Sequence, residues 1–109
     1  MKTRDLIVDS CALMDLKAQD PAGVIREMLR AIEAAGRLKD PARCLADMLA
    51  RHRQHRGGIG GGIAIPHTCT TGVCQPLLAV GRHLAGLDFQ AADNQPVTLI
   101  FLLLGPKAA

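Results

Sequence analysis

Apolar positions recur at helical spacing in two stretches of the first half of the chain. Val24, Ile25, Met28, Leu29 and Ile32 make one stripe, and Cys44, Leu45, Met48 and Leu49 make another. Each stretch opens on Asp-Pro-Ala, at Asp20-Pro21-Ala22 and Asp40-Pro41-Ala42. The carboxylate caps orphan amides, and proline occupies the first helical position, where its missing N–H costs nothing. The pattern predicts a helix from 21 to about 35, stopped by Gly36, and a second from 41 that loses its stripe in the basic stretch 51–56 and ends at Gly57. The residues after the two Asp-Pro-Ala triplets do not match, so the chain has no internal repeat.

Beyond Gly57 the apolar residues fall into short segments bounded by glycine and proline, which predicts strands at 63–66, 77–84 and 97–104 and a weaker one at 12–16. Strand, helix, helix and then several strands predicts an α/β or α+β domain with helices packed on a small sheet. The segment 97–104 is apolar at nearly every position, so both its faces want cover. With no helix after it in the chain, the expectation is marginal stability or self-association.

Composition narrows the class. The 109 residues suit one domain, and a chain of that size buries about two thirds of its unfolded surface, so no disulfide or metal is needed for a core. Charged residues make up 21% with a net charge of +3, against 49% hydrophobic residues, which excludes a disordered chain. The apolar run 99–104 is too short to cross a bilayer, and Asp5 and Asp9 interrupt what a secretory signal would need. The expected location is the cytoplasm, with Cys11, Cys44, Cys69 and Cys74 as free thiols.

The densest chemical signal is Gly57-Gly58-Ile59-Gly60-Gly61-Gly62, five glycines in six positions. Such a backbone can present successive N–H groups to an anion such as phosphate. The same glycines would equally serve as a tight, ligand-free loop between helix and strand. A dinucleotide fingerprint needs a strand before the glycines and a helix after them, the reverse of the order here, and a nucleotide P-loop needs a lysine where Ile63 stands. His67 follows an apolar strand and a proline, where a neutral imidazole offers a lone pair to phosphorus at neutral pH. Arg51, the glycine amides and the hydroxyls of Thr68, Thr70 and Thr71 are candidate donors to the equatorial oxygens. A solvated or capping histidine is the plain alternative.

Gly58-Ile59-Gly60-Gly61-Gly62-Ile63-Ala64-Ile65-Pro66-His67, with Arg51 upstream and Asp93-Asn94-Gln95-Pro96-Val97 downstream, resembles the enzyme IIA domain of the bacterial phosphoenolpyruvate-dependent phosphotransferase system. The type is the fructose/mannitol one, including its nitrogen-regulatory branch. The resemblance implies an α/β sandwich, a small mixed sheet flanked by helices, and it covers residues 4–106. It implies that His67 is a transient phosphohistidine charged by an HPr-type carrier protein, with Arg51 beside it and Gly58, Gly60, Gly61, Gly62 and Thr68 cradling the phosphoryl group. The implied acceptor is a IIB domain. In the nitrogen branch, phosphorylation instead controls a kinase or transporter. Neither cofactor nor metal is implied.

The chain departs from the family pattern in several places. His52 stands where an acidic residue commonly follows the arginine, which predicts a more positive site favouring the phosphorylated state. Gly61 replaces a usual asparagine, predicting a looser loop. The stretch from Val80 to Phe89 is shorter than usual, with Arg82 and His83 where apolar residues would continue, so a clipped strand is expected. Members of that family also continue past the position of Pro106 into a segment with a second active-site histidine, so the resemblance leads us to expect either a fragment or a shortened domain with impaired transfer.

Other chemistries fit less well. The basic run 51–56 could touch nucleic acid, but it lacks interleaved aromatic residues, and a solvated helix end explains it. His67, Cys69 and Cys74 match no common zinc spacing. His83 is a polar strand end or, in a shortened domain, a neighbour of His67. Asp93 and Asn94 suit a turn before the last strand, with the side chain bonding its own backbone.

Overall fold

The structure is a computed structural model and describes residues 14–54, 58–91 and 93–107. Gly57, the cysteine at 11 and the first two positions of the weak strand at 12–16 lie outside the described residues. Among the described residues the order is β1 (Met14–Asp15), α1 (Pro21–Ala34), α2 (Pro41–Gln54), β2 (Gly58–Gly60), β3 (Ile63–Ala64), β4 (His67–Thr70), β5 (Leu77–Leu87) and β6 (Val97–Pro106).

Both helices begin as their sequences dictate. Asp20 Oδ1 accepts the Gly23 amide at 2.6 Å, and Asp40 Oδ1 accepts that of Arg43 at 3.1 Å, each across the first turn. Gly36 ends α1 at φ +74°, and the Arg37 amide closes on Ile32 O.

The sheet is mixed, in the order β1-β5-β6-β3-β2, with β4 also paired to β6. β5 and β6 form the antiparallel centre, β1 adds parallel to β5, and β2 adds antiparallel to β3. β3 and β4 both run parallel to β6, at Leu99–Ile100 and Leu103–Pro106, in one unbroken register. They are two segments of one extended path, interrupted at Ile65-Pro66. A helical layer on a small mixed sheet is the architecture expected from the element order.

Alternation sets the layers. Leu77 and Ala79 on β5 and Ile100, Leu102 and Leu104 on β6 join Val24, Ile25, Met28 and Ile32 of α1 and Cys44 and Met48 of α2 in one core. The segment 97–104 is therefore covered on one face by helices that precede it in the chain. On the other face Leu78, Val80, Leu99, Phe101 and Leu103 stay partly exposed. β5 is not clipped: it runs on to Leu87, absorbing irregular pairing between Arg82 and Leu87, where Gly86 has φ +83°.

Hydrogen bonds tie α2 and the segment just before it to β4 and the β4–β5 turn. The Thr70 hydroxyl donates to Asp47 Oδ2 at 2.8 Å and accepts the Gly72 amide at 3.0 Å. The Lys39 amide reaches Gly72 O at 2.8 Å. A Cβ on Gly72 would stand 2.5 Å from Cys44 Sγ and 2.7 Å from Asp40 O, so only glycine lets the β4–β5 turn approach the start of α2.

Candidate functional site

Along α2, Cys44, Met48 and His52 recur every four residues and face the core, and His52 meets Phe89 edge to face at 6.0 Å. Asp47 and Arg51 share the next flank. Asp47 is bonded to Thr70 near the end of β4, so Arg51, one turn later, lies alongside earlier residues of that strand.

β4 is thereby placed between α2 and solvent. Thr70 is fully buried toward Asp47, whereas His67 and Cys69, in the alternate register, are exposed. Arg51, His67, Thr68, Cys69, Pro76, Leu103, Leu104, Gly105 and Lys107 line one cleft of about 490 Å³. No carboxylate is among these lining residues, and Arg51 and Lys107 make no ion pair among the described residues.

His67 Nδ1 lies 2.7 Å from the carbonyl oxygen of Ile65. A carbonyl only accepts, so Nδ1 carries the proton and the neutral ring keeps its lone pair on Nε2. Pro66 sets the geometry. It interrupts the strand path just before His67 and leaves the Ile65 carbonyl facing back toward the ring.

Of the expected site residues, the structure brings together Arg51, His67 and Thr68. It does not bring the glycines to them. Gly60, Gly61 and Gly62 have φ of +98°, +65° and +80° and form the turn between β2 and β3. At ~3.3 Å per extended residue, Gly62 lies roughly 16 Å along the β3–β4 path from His67. The Gly61 amide donates to Asp93 Oδ2 at 2.9 Å, and Gly58 packs toward Phe89 and Ala91. The glycine run is therefore a left-handed hairpin turn held by Asp93, and Gly58, Gly60, Gly61 and Gly62 do not line the His67 cleft. Asp93 also accepts the Gln95 amide at 3.0 Å, the expected turn before β6, and these two bonds, Gln95 first, hold its carboxyl below the ordinary value of 3.8.

Three further expectations need correction. His52 is 7% exposed and lines no part of the cleft, so it adds no charge there. Thr70 spends its hydroxyl on Asp47 and Gly72, and Thr71 is not in the cleft. His83 is buried on β5 with Nε2 2.8 Å from Ala18 O, and it lies five residues along β5 from Leu78, the partner of Leu103. It cannot approach His67. Lys107, which the sequence did not single out, lines the same cleft although it lies four positions along β6 from Leu103, the partner of His67; the parallel β4–β6 register that brings it there shows in no local pattern. Among the described residues no group of three or more His, Cys, Asp or Glu side chains converges to hold a metal ion, and no helix is long and apolar enough to cross a membrane.

Comparisons with known proteins identify the family. The family profile described as "Phosphoenolpyruvate-dependent sugar phosphotransferase system, EIIA 2" matches residues 6–109. The fructose-specific EIIABC component of Bacillus subtilis is 34% identical over 109 residues, covering 100% of this chain and 17% of that protein. The fructose-specific EIIA component of Haloferax volcanii is 38% identical over 86 residues, covering 79% of this chain and 56% of that protein. The chain thus spans at most about half the length of these two relatives. The crystal structure of the nitrogen regulatory protein IIA-Ntr from Neisseria meningitidis superposes with a TM-score of 0.82 at 29% identity, over 96% of this chain and 71% of that one. With its profile match across nearly the whole sequence and its fold shared with IIA-Ntr, the chain belongs to the EIIA 2 family of the phosphoenolpyruvate-dependent sugar phosphotransferase system.

Proposed function

We propose that the chain is a single phosphocarrier domain that accepts a phosphoryl group on His67 Nε2 from the phosphohistidine of an HPr-type carrier and passes it to a IIB domain in the cytoplasm. The observation that carries this reading is the His67 ring itself. It is exposed in a cleft free of carboxylates, with Nδ1 committed to Ile65 O and Arg51 among the lining residues.

The chemistry asks little of the protein beyond position and charge. The Nε2 lone pair forms the new P–N bond as the donor's P–N bond breaks, and that bonding pair returns to the donor's ring nitrogen. His67 keeps its Nδ1 proton on Ile65 O, so its ring gains the positive charge that the donor's ring loses. One P–N bond replaces another of the same kind, and transfer is readily reversible. In this reading Arg51 and the Thr68 hydroxyl, both lining the cleft, bind the equatorial oxygens, a guanidinium being able to do so through two parallel N–H groups.

The test is incubation with phosphoenolpyruvate, enzyme I and an HPr-type carrier. Wild type should acquire acid-labile phosphate, and His67→Ala should not. Equal labelling of both would overturn the assignment.

A second reading is favoured by the similarity to IIA-Ntr: a regulatory module whose phosphorylation state controls its grip on a kinase or transporter. Pull-downs that differ between phosphorylated and unphosphorylated chain support it, and identical ones count against it. Neither reading calls for nucleic acid or insertion into a membrane. The partly exposed sheet face around Phe101 supports self-association in both.

A further inference from the structure

Lys107 belongs to no motif that marks this site in the sequence. It follows directly on β6, whose last residue, Pro106, pairs with Thr70 of β4. Pro106 has no N–H to give the ladder, and the next amide, that of Lys107, donates to Thr70 O at 3.0 Å. The Lys107 backbone is thereby fixed beside Thr70, four positions along β6 from Leu103, the partner of His67, and Lys107 lines the same cleft as His67, Arg51 and Thr68, so its long flexible stem is what can carry the ammonium toward the ring.

The local charge is unbalanced. Arg51 and Lys107 both line the cleft, and no carboxylate does. The nearest acid along α2, Asp47, already receives the Thr70 hydroxyl and pairs with Arg43 at 3.6 Å. Two cations lining one cleft with no carboxylate raise its local potential, which favours a dianion bound there. A phosphoryl group on Nε2 of His67 is such a dianion.

We propose that Lys107 is a second phosphoryl-binding cation of the cleft, acting with Arg51 on the group carried by His67. This rests on the reading of His67 as a phosphorylated residue. The two cations differ in kind. A guanidinium grips two oxygens in a fixed plane, whereas an ammonium on a flexible stem is a movable point charge that can follow the phosphorus as it passes between rings.

The experiment compares wild type, Lys107→Met and Lys107→Arg, each charged by phosphoenolpyruvate, enzyme I and an HPr-type carrier. Removing one charge-assisted contact at an exposed site should lower the initial phosphorylation rate about tenfold in Lys107→Met, and Lys107→Arg should recover most of it. The phosphorus NMR resonance of the charged protein should titrate at higher pH in Lys107→Met, since losing a neighbouring cation favours protonation of the phosphoryl oxygens. A merely structural lysine would leave that titration unmoved. If wild type and Lys107→Met charge at the same rate and titrate alike, Lys107 has no such role, while the assignment of His67 stands. If wild type takes no phosphate on His67, the functional reading falls, and this inference with it.

Discussion

The Thr70 hydroxyl links Asp47 of α2, at 2.8 Å, to the Gly72 amide, at 3.0 Å, from a fully buried position. This side chain helps to seat α2 against β4, and with it Arg51, four residues after Asp47. Thr70→Val keeps the volume but strands a buried amide and removes a donor from Asp47. We expect a loss of about 1–3 kcal/mol in stability by chemical denaturation. The phosphorylation rate should fall as well, because the variant alters the seating of the helix that carries Arg51. Unchanged stability would show that water replaces the hydroxyl.

The consecutive glycines of the β2–β3 turn should differ in tolerance. A Cβ on Gly61, at φ +65°, meets nothing within 4 Å, whereas one on Gly60, at φ +98°, lies 3.2 Å from Asp93 Oδ2. Asparagine adopts left-handed backbone more readily than other side chains, so Gly61→Asn should change stability by less than about 0.5 kcal/mol, and Gly60→Ala should cost about 1–2 kcal/mol. Thermal melts of the two variants check this. Because the turn lies away from the His67 cleft, Gly61→Asn should charge with phosphate at the wild-type rate.

Acid should weaken the fold through carboxylates that are stabilised in the folded state. Asp93 is held below 3.8 by the Gln95 and Gly61 amides, and Asp15 by its hydrogen bond and ion pair with Arg82. Since the folded values are the lower ones, the stabilisation is complete above 3.8 and disappears as the pH falls through the folded values. Urea midpoints should therefore drop between pH 5 and pH 3, and Asp93→Asn should shrink that drop. An equal drop in wild type and Asp93→Asn would locate the acid sensitivity elsewhere.

Arg51 should prove more than a helix-end cation. Arg51→Met should slow charging of His67 by about 10- to 100-fold, and Arg51→Lys should recover only part of it because the bidentate fork is lost. Rates from the same carrier assay decide it. A rate unaffected by Arg51→Met would place the arginine outside the transfer step.

The partly exposed face formed by Leu78, Val80, Leu99, Phe101 and Leu103 should bring copies of the chain together at high concentration. Sedimentation velocity over a hundredfold concentration range should show a rising average mass, and Phe101→Ser should suppress it. A monomer throughout would show that this face is stable in water as it stands.

What was legible in the sequence is what short-range sterics decide. The two helices, their aspartate caps, the Gly36 stop and the long apolar strand β6 depend on neighbours within a few residues, and those neighbours are written in order along the chain. The strand character of β4 was not legible, because His67-Thr68-Cys69-Thr70 shows no apolar alternation and becomes a strand only by lying beside residues 103–106. The same nonlocal register separates the glycine turn from His67, although the two are neighbours in sequence, and brings Lys107 into the cleft that His67 lines, forty positions away in the chain. It also hides His52 against Phe89 while its neighbour Arg51 lines the cleft. Residue types pointed to His67 as the candidate phosphoryl acceptor; which side chains surround it was decided by strand pairing and helix seating, because those depend on contacts between segments far apart in the chain.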